Sequence, residues 1–248
     1  MGKKLLLFLV EGRTDRDTFE RPIQSLMDSL DAYVDAEFVE AKGDITTTRL
    51  SDSQKLEDSI YSNYLKEFFA IYPYYEAKDI LQIVQICDLD AAFIPNQYCK
   101  QYDLVHNVLK GFVYDPPYIY GETANAVIER NNTKATNLRH LIRLTEITVK
   151  RAKVPYSICF LSTNLEHCLY GKLNATPREK IEYADRFADR CEDLEEFKKE
   201  LKNPEHKTPC NTIEESWKFI QKEMHSFERY TNLDLLMDTI IEKVARRD

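Results

Sequence analysis

Acidic side chains stand where apolar runs end. Leu5-Leu6-Leu7-Phe8-Leu9-Val10 stops at Glu11, with Asp15 four residues on, and the run from Ile80 to Cys87 stops at Asp88 and Asp90. A third run, residues 155–162, is followed by Asn164, Leu165 and Glu166. A carboxylate is costly to bury alone, and a cluster of them cannot stay ionised without a counter-charge. Acids gathered at the carboxyl ends of parallel strands, the edge where open α/β sheets bind ligands, suit a hard divalent cation. Magnesium or manganese takes such oxygen ligands and also holds phosphate oxygens. The pattern points to metal-dependent phosphoryl-transfer chemistry.

Positioning these acids requires strands that alternate with helices. The apolar runs 4–10, 80–87 and 155–162 read as strands, and the looser alternation over 32–41 as another. Between them, Thr14 is placed to cap a helix carrying Phe19, Ile23, Leu26 and Leu30, with a kink or restart expected at Pro22. Residues 51–72 read as a helix facing Leu56, Ile60, Leu65, Phe68 and Phe69 inward. Residues 91–125 are irregular and rich in Pro and Tyr, as in an insertion or lid. Residues 131–153 read as one basic helix, 177–203 as a charged helix or helix pair, and Thr212 with Glu215 as a capping box for a further helix. The stripe Leu233, Leu236, Met237, Ile240, Ile241 and Val244 makes the last one. The predicted fold is α/β, a mainly parallel sheet of about four strands flanked by helices. The expected organisation is a catalytic domain over 1–172, an inserted lid over about 91–153, and a C-terminal helical extension over 173–248.

The chain has 248 residues, enough for one sizeable core, and a formal charge of -8. That charge argues against a surface that is basic throughout, so a nucleic-acid substrate would need a local basic patch and metal ions. The six cysteines form no C-x-x-C pair, which fits a reduced, cytoplasmic protein. No stretch approaches the length of a membrane span, and no G-x-x-x-x-G-K-[ST] phosphate loop occurs.

Val10-Glu11-Gly12-Arg13-Thr14-Asp15 and Asp88-Leu89-Asp90 resemble the two signatures of the Toprim domain, shared by topoisomerases, bacterial primases and several nucleases. With Glu166 added, the arrangement is most similar to the overcoming-lysogenization-defect nucleases and to the small Toprim proteins of bacterial antiphage systems. The third motif of those nucleases is Ser-x-Glu; here Asn164-Leu165-Glu166 takes its place, with Ser162 two residues earlier. The similarity covers roughly residues 3–170.

The resemblance implies a Toprim-like fold and a divalent-metal-dependent endonuclease acting on DNA or RNA, tRNA among them, as an effector of antiphage defence. It implies Glu11, Asp88 and Asp90 as catalytic residues that hold one Mg2+ or Mn2+, with Asp15 and Glu166 completing or supporting a second ion. Glu11 could instead be a general acid or base. Gly12 would let the backbone turn beside the metal, and Asn164 would support the third motif. A late lysine is also implied, with Lys172 and Lys207 as candidates. A separate ATPase partner and a homodimer are further expectations.

Each feature has a plainer reading. Asp15 suits the first turn of any helix, Asp88 and Asp90 could cap a turn, and Glu166 could pair with a nearby base. Lys134, Arg139, Arg143, Lys150 and Arg151 form either a phosphate-binding face or a solvated helix face. Tyr114, Tyr118 and Tyr120 either stack on bases or pack the insertion onto the core. A non-catalytic module that binds nucleic acid or a partner is the alternative to a nuclease. A phosphatase of the haloacid-dehalogenase kind, which also uses Asp-x-Asp, fits less well: its pair follows the first strand.

Overall fold

The computed structural model describes residues 3–30, 33–41, 43–49, 55–103 and 111–245. Its main sheet has five strands in the order β2-β1-β3-β8-β7: β2 Val34–Glu40, β1 Lys4–Val10, β3 Ile80–Asp88, β8 Ala152–Leu161 and β7 Glu146–Val149. The first four are parallel, and β7 runs antiparallel to β8 at the edge. The sheet is therefore mixed, one antiparallel strand beyond the parallel set expected.

Apolar residues on both faces of β1 and β3 put these strands in the centre. Successive side chains of β1 enter opposite cores. Leu6, Phe8 and Val10 pack with Phe19, Ile23 and Leu26 of helix α1 (Arg13–Leu30). Leu5, Leu7 and Leu9 pack on the other side with Ile60, Leu65 and Phe68. Those three come from α2 (Leu56–Ile60), a π-helical turn (Tyr61–Leu65) and α3 (Lys66–Ile71). Helix α1 runs through Pro22 without a break and begins at Arg13, so Thr14 lies inside it rather than capping it.

Residues 91–125 carry a small second sheet, β4 (Cys99–Gln101), β6 (Tyr118–Gly121) and β5 (Val113–Asp115), in that order. The expected basic helix over 131–153 is corrected. Helix α4 spans Ala124–Leu141, capped by the Thr123 side chain, which accepts from the Ala126 amide. The chain then turns into β7, where Glu146-Ile147-Thr148-Val149 alternates exposed and buried. A β-branched alternation of this kind favours a strand over a helix. The stretch expected as an insertion thus donates β7 to the main sheet.

The C-terminal segment supplies α5 (Leu165–Tyr170), α6 (Pro177–Arg190), α7 (Leu194–Leu201), α8 (Ile213–Ile220) and α9 (Leu233–Ala245). Phe187, Phe197, Leu236 and Ile240 share the core of Leu6 and Phe8, and Trp217 and Ile220 share that of Leu5 and Leu7. Trp217 Nε1 donates to the Ile158 carbonyl, and Asn232 Oδ1 accepts from the Phe160 amide. These helices complete both cores of the sheet. No helix among the described residues is long and apolar enough to cross a membrane.

Candidate functional site: an acidic cluster between two lysines

Parallel register brings the acids to one edge. Leu9 pairs with Gln85, and Asp88 pairs with Leu161, so β1, β3 and β8 release their chains side by side. The Asp88 amide donates to Glu11 Oε1 at 3.2 Å, joining the first two strand ends directly. The Leu89 amide donates to the Leu161 carbonyl, and that of Asp90 to Thr163. Asp90 and Thr163 both take left-handed backbone, at φ 51° and 54°. That conformation is uncommon outside glycine and tolerated where surrounding contacts over-determine it.

A lysine organises one half of the cluster. Lys134 of α4 is fully buried, and its Nζ lies 2.7 Å from Asp90 Oδ2, 3.0 Å from Asp44 Oδ2 and 3.9 Å from Glu11 Oε1. Asp90 is occupied further. Its Oδ1 accepts from the Tyr114 hydroxyl at 2.8 Å, and Arg130 Nη1 reaches its carbonyl at 3.1 Å and its Oδ2 at 3.4 Å. Burial alone would raise the Asp90 pKa; Lys134 and Arg130 more than reverse this and hold it at about 2. Burial likewise disfavours the charge on Lys134, but Asp90, Glu11 and Asp44 keep it protonated.

The other half is less complete. Glu166 is 1% exposed, and Lys180 Nζ of α6 lies 3.0 Å from its Oε2. Glu166 Oε1 and Asp88 Oδ1 are buried without a hydrogen-bond donor. Burial raises the pKa of Asp88 strongly, and the charges of Asp15, Glu11 and Asp90 add to it. Asp15 is raised to about 6 by burial, with Glu166 adding to the rise and its bond to the Gly12 amide opposing it. Asp15 Oδ2 accepts from that amide at 2.9 Å, as an acid in the first turn of a helix does. Among the described residues, no three acidic, histidine or cysteine side chains stand ready as one ion's ligand set.

The structure thus gathers Glu11, Asp15, Asp88, Asp90 and Glu166 at one edge. It adds Lys134, Asp44, Tyr114, Arg130 and Lys180, none of which was assigned to this cluster from sequence. Of the lysines considered, Lys172 pairs with Glu179 at 2.9 Å, and the Lys207 backbone bridges to Thr231. Lys180 is the late lysine that meets an acid of the cluster. Gly12 has no left-handed φ, and a side chain there would meet only Asp15, at an ordinary 3.8 Å. The backbone therefore does not demand glycine. Asn164 caps α5, its Oδ1 accepting from the His167 amide. Burial lowers the pKa of His167 to about 4, so it is neutral at physiological pH.

The five basic residues expected on one face are separated. Lys134 points into the core, while Arg139 and Arg143 are exposed at and just beyond the end of α4. Lys150 and Arg151 form the β7–β8 turn. That turn precedes β8, whose ten residues put it about 30 Å from the acidic edge.

A cleft of about 430 Å³ opens on Asp88 and Asp90. Phe112, Tyr114, Asn164, Asn174, Thr176 and Lys180 also line it. Asn174 clasps the Tyr114 backbone through both its amide and its carbonyl, at 2.8 and 2.9 Å. Another hollow, of about 340 Å³ beside β2, is lined by Arg16, Tyr64 and Tyr72 but by none of the five acids.

Comparison of the chain with protein-family models, with curated proteins and with solved structures gives no match.

Proposed function

We propose that this chain is a divalent-metal-dependent endonuclease of the Toprim kind, hydrolysing phosphodiester bonds in DNA or RNA. One observation carries the reading: five carboxylates gather where three neighbouring strands end, two of them, Asp88 and Asp90, line a cleft, and Asp88 Oδ1 and Glu166 Oε1 are buried without a donor. An orphaned buried carboxylate oxygen costs free energy unless something completes it. Asp88, Asp15 and Glu166 offer the oxygen donors that a hard cation takes. Bound there, Mg2+ or Mn2+ would polarise a phosphoryl oxygen and favour the hydroxide form of a coordinated water.

The protein's own groups have separate tasks. Lys180 carries a positive charge to the cleft wall beside Glu166, where a phosphate would lie. Phe112, at the rim, offers a face for a base. Tyr114, Arg130 and Lys134 fix the Asp90 side chain and hold it ionised. Incubation with labelled DNA, RNA and tRNA tests the reading. Cleavage with Mg2+ or Mn2+ that stops with chelator, and is lost in Asp88→Ala, supports it; undiminished cleavage by Asp88→Ala with Asp90→Ala refutes it.

The Toprim resemblance extends this proposal to antiphage defence beside a separate ATPase. A plaque assay with the Asp88→Ala chain tests the first part, and co-purification with a neighbouring gene product the second. A second reading, a non-catalytic module that binds nucleic acid or a partner, is favoured by Lys134. Its ammonium supplies a counter-charge to Asp90, Asp44 and Glu11 without an ion. Partner or nucleic-acid binding with no uptake of Mn2+ would select that reading.

A further inference from the structure

The two halves of the acidic cluster differ in how their lysines are held. Lys134 has no exposed side-chain surface and lies within 4 Å of three carboxylates. It leaves α4 on the buried face shared by Val127, Asn131, Leu138 and Leu141. Withdrawing it would strand a charge in the core, and a fully buried lysine persists only when paired. Lys180 is 37% exposed and meets one carboxylate, at the cleft wall. It can move into the cleft without burying an unpaired charge.

Oxygen availability follows the same division. Both Asp90 oxygens are taken, Oδ1 by Tyr114 and Oδ2 by Lys134 and Arg130. Asp44 Oδ2 is taken by Lys134, and its Oδ1 accepts from the Thr46 amide. The Asp88 and Glu166 oxygens that lack donors lie in the other half. Glu166 is ninety-nine per cent buried, so no bulk water completes its coordination.

We propose that the Lys134 ammonium permanently stands in for one of two cations, so that the chain binds a single divalent ion, on which Asp88, Asp15 and Glu166, not arranged as a ligand set without it, close. This rests on the metal-dependent reading above and narrows it. Glu11 and Asp90 then belong to the resident-lysine half, and Asp90 is a positioning residue rather than an ion ligand. Lys134 keeps its positive charge among these carboxylates whether or not the ion is present. Lys180 yields Glu166 to the ion and turns its charge toward the cleft.

Titration of the full-length chain with Mn2+, followed calorimetrically and by the loss of the free-ion electron paramagnetic resonance signal, tests the proposal. One ion per chain is expected. Glu166→Gln should weaken its binding at least about tenfold, the loss of a buried charged ligand. Asp90→Asn should leave the stoichiometry at one and the affinity within about threefold. Should Asp90→Asn fail to fold, Mn2+-soaked crystals of the unaltered chain decide. The expected anomalous peak is single, beside Asp88 and Glu166, with Lys134 still on Asp90. Two ions, no ion, or a peak between Asp90 and Glu11 overturns the proposal. Two ions with chelator-sensitive cleavage would leave the nuclease reading standing, and one ion without cleavage would do the reverse.

Discussion

Lys134 Nζ and Asp90 Oδ2 lie 2.7 Å apart, and the lysine that makes this contact is wholly shielded from solvent. The pair joins α4 to the end of β3 across forty-four residues of chain. Truncating one partner of a buried pair costs about 3–5 kcal/mol, because the other charge is left unpaired. Lys134→Met should therefore lower stability by about that amount, read from urea unfolding at neutral pH. Adding Asp90→Asn to the same chain should recover part of the loss, since the two residues act as one unit. Equal and additive losses in the double variant would show that they are uncoupled.

The sheet and its acidic edge were legible in the sequence because strand cores and strand ends leave local marks. An apolar run ending in acid is such a mark, and it located Glu11, Asp88 and Glu166. Lys134 was misplaced because the segment around it is basic, which suggests a solvated face. A signal was present: Val127, Asn131, Lys134, Leu138 and Leu141 recur at helical spacing, which puts Lys134 on the buried side. The segment after Leu141 misled for another reason. The basic residues running on to 153 suggest one continuous helix, whereas pairing with β8 gives residues 146–149 a period of two. Asp44 and Lys180 leave no comparable mark. Asp44 looks like any turn residue beside Gly43, and Lys180 like any charge on a polar helix. Their roles arise only when distant elements pack.

The acids should respond to pH in opposite directions. Asp15 rises on folding from 3.8 to about 6, mainly through burial. Between those values the folded chain binds more protons than the unfolded one, so stability falls as pH rises through this window. Asp15→Asn keeps an acceptor for the Gly12 amide and should raise Tm at neutral pH in chelator, with the gain vanishing near pH 4. Asp90 is held down at about 2, so its contribution is present above about pH 4 and lost as pH falls toward 2. Asp90→Asn should therefore cost most at neutral pH and progressively less in acid. Calorimetric scans of both variants across this range check the two signs.

The β7–β8 turn should be separable from the acidic site. Lys150 and Arg151 adopt φ 46° and 75°, left-handed values for which Asn and Gly are better suited. Replacing them with Asn and Gly should stabilise the chain by about 1 kcal/mol, offset by loss of the Lys150 contact, 3.8 Å over the Phe69 ring. Nucleic-acid affinity and its salt dependence should not change, because the turn lies at the opposite end of β8. A shallower dependence of binding on salt concentration would instead place these two charges against phosphate.

Lys180 allows ion binding and strand binding to be told apart. Its ammonium pairs with Glu166 and lines the cleft, so it both competes with a cation and attracts a phosphate. Lys180→Met should free Glu166 and tighten Mn2+ binding roughly two- to fivefold, the strength of a partly exposed pair. The same change should weaken binding of an oligonucleotide and reduce the slope of affinity against salt by about one counterion. Titrating one preparation with Mn2+ and with a fluorescent single strand measures both effects. If both affinities fall together, Lys180 supports the fold of the cleft and has no direct part in either binding.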